Sequence, residues 1–305
     1  MTITTRGDIP ELLWPGVDEV LLTHNERYKN EYLMIYGKGR PSVKAEEKCV
    51  EMRGLGPAKR KIEGRQSSED SIRQRYVYVF NNKTFSLRFP ITYEARSDDL
   101  YLSQFAQGTE SLLTSYEQNM EQMAMVPFNN GFTTNLADGV PLCDANHPYD
   151  GGVFSNRVGG NIAVDLSETA IEQAIILASR LVDQAGLKIK GTIDKIILSP
   201  EKFFSGYRIT KSEHRSGTAN NDINVLDRLS NTLLPGGIIQ NHFLSNTSDV
   251  FFLTNFERGR RFYEREKPRI SSWTDDNTKT LYTDIMGRYS FGTFTPLGVI
   301  GMKGL

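Results

Sequence analysis

The sequence has 305 residues, 38% hydrophobic and 24% charged, with 26 Gly and 12 Pro; that balance provides for a core and excludes collagen-like, coiled-coil and wholly disordered chains. Its 36 Lys+Arg against 37 Asp+Glu leave a formal net charge of -1, which excludes nucleic-acid binding through bulk positive charge and confines any such role to local patches. Met1–Gly16 has no secretory apolar segment, no apolar run approaches the roughly 18 residues that span a bilayer, and Cys49 and Cys143 are too few for a disulfide framework, so an intracellular origin without a membrane partner is expected.

Val17–Tyr36 predicts a helix in an N-terminal arm, with Val20, Leu21, Tyr28, Tyr32 and Ile35 on one stripe and Gly37, Gly39 and Pro41 as the stop. Lys38–Arg75 then carries eleven Lys/Arg and six Asp/Glu, a local excess of five, without apolar periodicity. Gly54-Leu55-Gly56-Pro57 through Gly64 has the punctuation of a loop tip, while Arg75–Phe80 and Phe85–Thr92 read as β-runs joined by Asn81-Asn82. Paired as a hairpin, 37–71 reaches about 55 Å at ~3.3 Å per residue, against a radius of gyration of about 19 Å for a compact chain of this length. Such a polar extension either calls for support from a neighbouring chain or is disordered.

Ser97 is placed to cap a long helix with Asp98 and Asp99 in its first turn, Leu102, Phe105, Leu112, Tyr116, Met120 and Met123 on its apolar stripe, and Pro127 at its end. At the helical rise it is about 45 Å long. Phe128–Gly160 is rich in Asn, Asp and Gly and reads as turns and hairpins; Ser167 caps a second helix over Glu168–Gln184, with Leu166 and Ile171 as a hydrophobic staple and Gly186 as the stop. Lys195–Leu198, Val250–Leu253 and Tyr289–Phe294 read as strands and Ile223–Leu229 as a helix. Without regular βαβ alternation, the predicted class is α+β.

Chemistry-bearing motifs are sparse. Dinucleotide, P-loop, zincin, EF-hand and nucleophile-elbow patterns are absent. Cys143, Asp144 and His147 are the nearest approach to a zinc-ligand set, but an Asn/Asp/Gly-rich stretch ending in Pro148 favours a hydrogen-bonding turn. His24, His214 and His242 have no motif around them; Asp98-Asp99 suit a helix start and Asp275-Asp276 a turn before Asn277. Arg258–Arg269 holds six basic residues with Phe262 and Tyr263, but the interleaved Glu257, Glu264 and Glu266 favour a solvated strand or subunit contact over nucleic-acid binding.

Three ordered segments carry a family resemblance: Asp138–Pro148 (DGVPLCDANHP), Gly151–Arg157 (GGVFSNR) and Asp165–Glu172 (DLSETAIE). With Arg75-Tyr76, Ile91–Leu100, Asn220–Val225 and Arg288–Gly292 they make the chain, from about Gly54 onward, similar to the major capsid proteins of tailed bacteriophages, including Mu-like major head subunits. The resemblance implies a Hong Kong 97-type fold: N-terminal arm 1–36, extended loop 37–92, peripheral domain 93–166 with its spine helix at 97–126, axial domain 167–280, and a returning peripheral segment 281–305. It implies a structural protein and not an enzyme, assembled in the bacterial cytoplasm into pentamers and hexamers of an icosahedral virion head around double-stranded DNA. Its expected partners are other copies of itself, a separate or already removed scaffolding protein, a portal and a decoration protein, with no cofactor and no metal. The inter-subunit contact is expected at the loop tip, through Arg53, Lys59, Arg60, Lys61 and Arg65. In some members a loop lysine joins a neighbour's asparagine; Lys59 and Lys61 lie in a suitable region, but the partner is not identified. The alternatives are an encapsulin-like compartment with protein cargo and a metal-dependent enzyme using Cys143, Asp144 and His147.

Overall fold

The computed structural model describes residues 30–97, 101–214, 223–228 and 234–305. Most of the expected arm, His24, the Asp98-Asp99 pair and Asn220–Asp222 therefore lie outside the described residues. Helix α1 (Tyr32–Tyr36) buries Tyr32 and Ile35 and ends where Gly37 takes φ +71° and donates its N–H to the Leu33 carbonyl, a left-handed stop that glycine adopts without strain.

Strands β2 (Glu46–Arg53) and β3 (Arg73–Asn81) pair antiparallel from Glu46↔Asn81 to Arg53↔Arg73, leaving 54–72 as the tip. The hairpin expected in the basic stretch exists, but its returning arm lies beyond Ser71. Asn81-Asn82 forms a corner: β4 (Lys83–Ile91) turns away from β3 and pairs with β11 (Leu281–Thr293). Asn82, 5% exposed, holds the corner. Its side chain donates to Ser42 Oγ (2.8 Å) and the Lys44 carbonyl (2.9 Å), and accepts from Ser290 Oγ (2.8 Å).

Ser97 does not cap the long helix. It ends a short helix α2 (Tyr93–Ser97), its hydroxyl donating to the Glu94 carbonyl. The long helix α3 (Tyr101–Asn129) runs through Pro127 instead of stopping there. Proline's φ suits a helix and forfeits one backbone hydrogen bond; fully buried Met125 and Phe128 hold that last turn against the rest of the protein. Leu112, Tyr116 and Met120 are buried as the stripe predicts, joined by Leu113 and Ala124.

This stripe covers a sheet ordered β1-β10-β11-β4, where β1 (Arg40–Pro41) is a short parallel edge and β10 (Arg260–Thr274) pairs antiparallel with β11. Alternation along the strands turns Phe262, Ile270, Ile285 and Tyr289 toward α3. Gly287 lies under the helix so closely that a Cβ there would stand 2.0 Å from the Tyr116 hydroxyl.

A second sheet has the order β12-β9-β7-β8, built from β7 (Ile193–Leu198), β8 (Gly237–Gln240), β9 (Val250–Thr254) and β12 (Val299–Met302). Both faces are covered, which explains the continuous apolar runs. Ile196, Leu198, Phe252 and Ile300 meet Ala170, Ile171, Ala174 and Ala178 of α4 (Glu168–Arg180). Ile197, Phe251, Leu253 and Val299 meet Met125 and Phe128 at the C-terminal end of α3, and Leu142 in the stretch beyond it.

Ser167 caps α4 by accepting from Ala170 N–H, as predicted, but the helix stops at Arg180 and not at Gln184. Leu181 takes ψ 137° and enters a separate small core with Phe154 and Leu297, while Gly186 serves the following turn, donating to the Asp183 carbonyl. Helix α5 (Pro200–Lys211), with Ser199 as its cap, was not expected. It buries Gly206 and Thr210 where a larger apolar stripe would normally signal a helix. The helix expected near Ile223 is one turn, α6 (Val225–Arg228). Sheet membership also divides the interval 167–280, since β10 sits beside β11 and β12 lies in the second sheet.

Candidate assembly interface

The hairpin root is pinned by charge within its own chain. The Arg53 guanidinium donates to Asp70 (3.0 Å), to the Gly54 and Ser71 carbonyls, and to Asp150, which also pairs with Arg75. Asp150 belongs to the turn between β5 (His147–Tyr149) and β6 (Gly152–Phe154). Asp70 accepts from Gly56 N–H and Ser71 N–H, both at 2.8 Å. The Gly56 N–H, then Arg53, hold the Asp70 carboxyl down at about 2, and Arg53 likewise lowers that of Asp150. Arg53 is thus an intrachain anchor, whereas Lys59, Arg60, Lys61 and Arg65 are exposed on the tip with Leu55 and Ile62.

The paired strands present two unlike faces. Tyr78 and Phe80 are buried on one, edge-on against Phe294 and Tyr263. Glu51, 8% exposed on the same side, accepts from Thr295 Oγ1 at 3.1 Å, and burial pushes its carboxyl up. The other face exposes Val50 and Val79 by 41% and 48%, with Val77 and Met52 beside them. Contiguous exposed apolar groups of this kind mark surfaces that another protein covers.

Cys143, Asp144 and His147 have separate structural tasks. Cys143 is fully buried in the core, burial pushing its thiol up. The Asp144 carboxylate accepts from Asn146 N–H. Both ring nitrogens of buried His147 face protein oxygens, Asp138 Oδ2 at 2.8 Å and Asn156 Oδ1 at 3.1 Å. No group of three or more His, Cys, Asp or Glu is placed to hold a metal among the described residues. Sequence reasoning missed Asn156, the residue on which this region turns. Fully buried, it donates to the Leu142, Pro296 and Val299 carbonyls and accepts from Asp144 N–H. Its place in the Gly151–Arg157 segment was the available signal.

The basic run at 258–269 is more than a solvated strand. Arg260 is 5% exposed and donates to the carbonyls of Ile35 (3.0 Å), Thr254 (3.3 Å) and Gly298 (2.6 Å), tying α1 to both sheets; Lys267 and Arg269 are exposed. A second tie, also missed, joins α1 to α3. Buried Glu121 accepts from the Glu31 and Tyr32 N–H groups at 2.6 and 3.0 Å, taking up unpaired donors at the start of α1, and burial pushes its carboxyl up to about 7. Glu31 in turn accepts from Asn241 Nδ2 and the His242 N–H.

No helix among the described residues is long and apolar enough to cross a membrane. No curated protein sequence matches the chain. Among solved structures, a virus-like particle from Pyrococcus furiosus is similar with a TM-score of 0.56 at 10% identity, covering 95% of this chain and 99% of that one. The capsid of Myoviridae phage XM1 gives 0.51 at 12% identity, covering 86% of each chain. The capsid of an empty GTA particle gives 0.53 at 9% identity, covering 91% and 90%. These likenesses establish the fold, the Hong Kong 97-type fold that the resemblance implies. The family described as phage capsid protein matches residues 78–301, and on that match, over most of its length, the chain belongs to the phage capsid protein family.

Proposed function

We propose that this capsid protein is the repeating subunit of a phage head, closing as pentamers and hexamers into an icosahedral shell around double-stranded DNA. It is a major capsid protein of the virion, and its work is mechanical: the subunit holds neighbours and turns nothing over. The observation that carries this reading is the hairpin, rigidly rooted through Arg53 and Asp150 yet offering cations at its tip and apolar residues on its outer face. Lys59, Arg60, Lys61 and Arg65 are assigned to a neighbouring copy, with Arg53 holding the hairpin in position. We assign 1–36 to the arm, 37–92 to the extended loop and α3 to the spine. Sheet membership supports grouping 260–293 with 93–166 in the peripheral domain, and β12 with the axial domain that begins at 167. Many modest contacts per subunit stabilise a shell that no single contact secures. A scaffolding protein, a portal and a decoration protein complete the proposed set of partners.

The test is electron microscopy of the expressed chain, with and without its scaffold, beside a variant in which 57–66 is replaced by a short Gly-Ser turn. The parent is expected to form closed shells. The variant is expected to keep the monomer's melting curve and lose or weaken the shells, because the exposed tip adds little to its own core. Shells of undiminished yield from the variant contradict the assignment. An encapsulin-like compartment has the same fold; protein cargo in place of DNA inside purified particles would decide for it.

A further inference from the structure

The hairpin buries a carboxyl group at its root. Along β2 the inward positions include Cys49 and Glu51, and Glu51 stands where the pairing with β3 passes from Glu51↔Tyr76 to Met52↔Gln74. Arg75 is therefore the extra residue of a β-bulge, a feature that bends a strand and re-aims the side chains beside it. Arg75 pairs with Asp150, while Glu51 is turned into the body of the protein.

Three donors meet the Glu51 carboxyl: the Thr295 hydroxyl at 3.1 Å, the Tyr78 hydroxyl at 3.5 Å and the side chain of Gln184. Burial pushes the Tyr78 hydroxyl up, so it keeps its proton throughout the ordinary pH range. No cation joins these donors. Glu51 forms no ion pair among the described residues, and Arg53 and Arg75, which flank the bulge, are engaged by Asp150. The charge that does reach Glu51 has its own sign: Asp138, buried and paired with His147 Nδ1 at 2.8 Å. In the same seat Gln184 Oε1 is buried without a partner. Donors without a cation, a like charge and a spare acceptor suit a carboxylic acid better than a carboxylate.

We infer that Glu51 is a proton-controlled clasp: with its carboxyl protonated the hairpin root is seated on Thr295 and Gln184, and with it ionised the root is released while Arg53 still tethers it to Asp150. The inference rests on the reading of the hairpin as the part that holds a neighbour, and adds how its position is regulated. The two attachments answer pH in opposite senses. Arg53 holds the Asp150 carboxyl below the usual carboxylate range, so the tether persists into acid. Burial, with Asp138 adding to it, pushes the Glu51 carboxyl up; the clasp is complete at and below the ordinary carboxylate range and is lost as pH rises through the raised value. An apolar residue at this place would keep the root closed at every pH.

The test is hydrogen exchange of the full-length monomer between pH 5 and pH 9, corrected for the intrinsic pH dependence of exchange. Protection of the amides in β2 and β3 is expected to fall by about tenfold across that range, the weight of one buried hydrogen-bonded group, while β7 is unchanged. Glu51→Gln, neutral at every pH, is expected to keep its protection throughout. Equal pH dependence in the parent and Glu51→Gln overturns the clasp. Should Glu51→Gln fold poorly, infrared titration of the parent gives a second readout. A protonated-carboxyl band is expected to disappear with a midpoint above that of the exposed glutamates and to be missing from Glu51→Gln, and a titration without such a band overturns the clasp. Particle yield measured beside these separates the two readings: a clasp that titrates as expected, with yield that follows neither pH nor Glu51→Gln, leaves the clasp standing and counts against the hairpin as the assembly contact.

Discussion

Asn156→Ala is expected to be among the most damaging single substitutions in the chain, although the residue is fully buried from solvent. Its amide donates to the Leu142 carbonyl at 2.7 Å, Pro296 at 3.1 Å and Val299 at 2.9 Å. Its oxygen accepts from Asp144 N–H at 2.9 Å and meets His147 Nε2 at 3.1 Å. Removing the side chain takes a partner from the Asp144 N–H, from His147 Nε2 and from three carbonyls that share its two amide hydrogens, in a fully buried place. At about 1–3 kcal/mol for each buried group left unsatisfied, and with some relaxation, the loss is about 3–5 kcal/mol. At about 2 °C per kcal/mol for a chain of this length, the melting temperature falls by about 6–10 °C. The assay is thermal unfolding of the monomer followed by circular dichroism. Asn156→Asp is the control: it keeps the accepting oxygen but turns a second one toward three carbonyls, so it is expected to be worse than alanine at pH 7 and to recover toward pH 4 as the carboxyl takes a proton. Melting of Asn156→Ala within about 2 °C of the parent, or an aspartate variant as stable as the parent at pH 7, would refute the assignment of Asn156 as the joint between the Asp138–Pro148 turn and β12.

Gly287→Ala forces a methyl group against the Tyr116 hydroxyl and is expected to destabilise by about 1–3 kcal/mol; adding Tyr116→Phe should recover part of the loss, and no recovery in denaturant titrations would point to backbone strain instead. Glu121, pushed up to about 7, has its charged form disfavoured in the folded chain, so its contribution to stability falls as pH rises from the ordinary carboxylate range through about 7. Glu121→Gln should flatten that part of the stability–pH curve whatever it does to its height, as denaturant midpoints across pH 5–8 will show. Asp70 is held in the opposite sense, at about 2. Its contribution is complete above the ordinary carboxylate value and is lost only as pH falls through about 2, so protection of the Gly56 amide from hydrogen exchange should persist at pH 4 and disappear in Asp70→Ala. Asp150→Ala should leave the monomer's melting nearly unchanged while making 54–72 easier to cleave with trypsin and lowering particle yield.

Local signals in the sequence were enough for those elements whose residues carry their own instructions. Ser167 with its following carboxylate determined where α4 begins, and the stripe Leu112, Tyr116, Met120 determined which side of α3 is buried. The apolar runs at 195–198 and 250–253 determined two strands, and the composition of 38–75 determined an exposed stretch. Family membership was legible in the ordered Asp138–Pro148, Gly151–Arg157 and Asp165–Glu172 segments, all of which lie within the matched residues 78–301. What the tertiary structure decided were the choices in which a local preference met a distant partner. Pro127 is carried inside α3 because Met125 and Phe128 are buried against the second sheet, and α4 ends early because Leu181 is drawn to Phe154 and Leu297. The strand after Asn82 abandons β3 for β11, almost two hundred residues away, and Arg53 is taken from the tip by Asp150. Asn156, Arg260 and Glu121 read in the sequence as ordinary polar residues. Each becomes a tie because burial in three dimensions removes water from groups that only a residue remote in the chain can then satisfy.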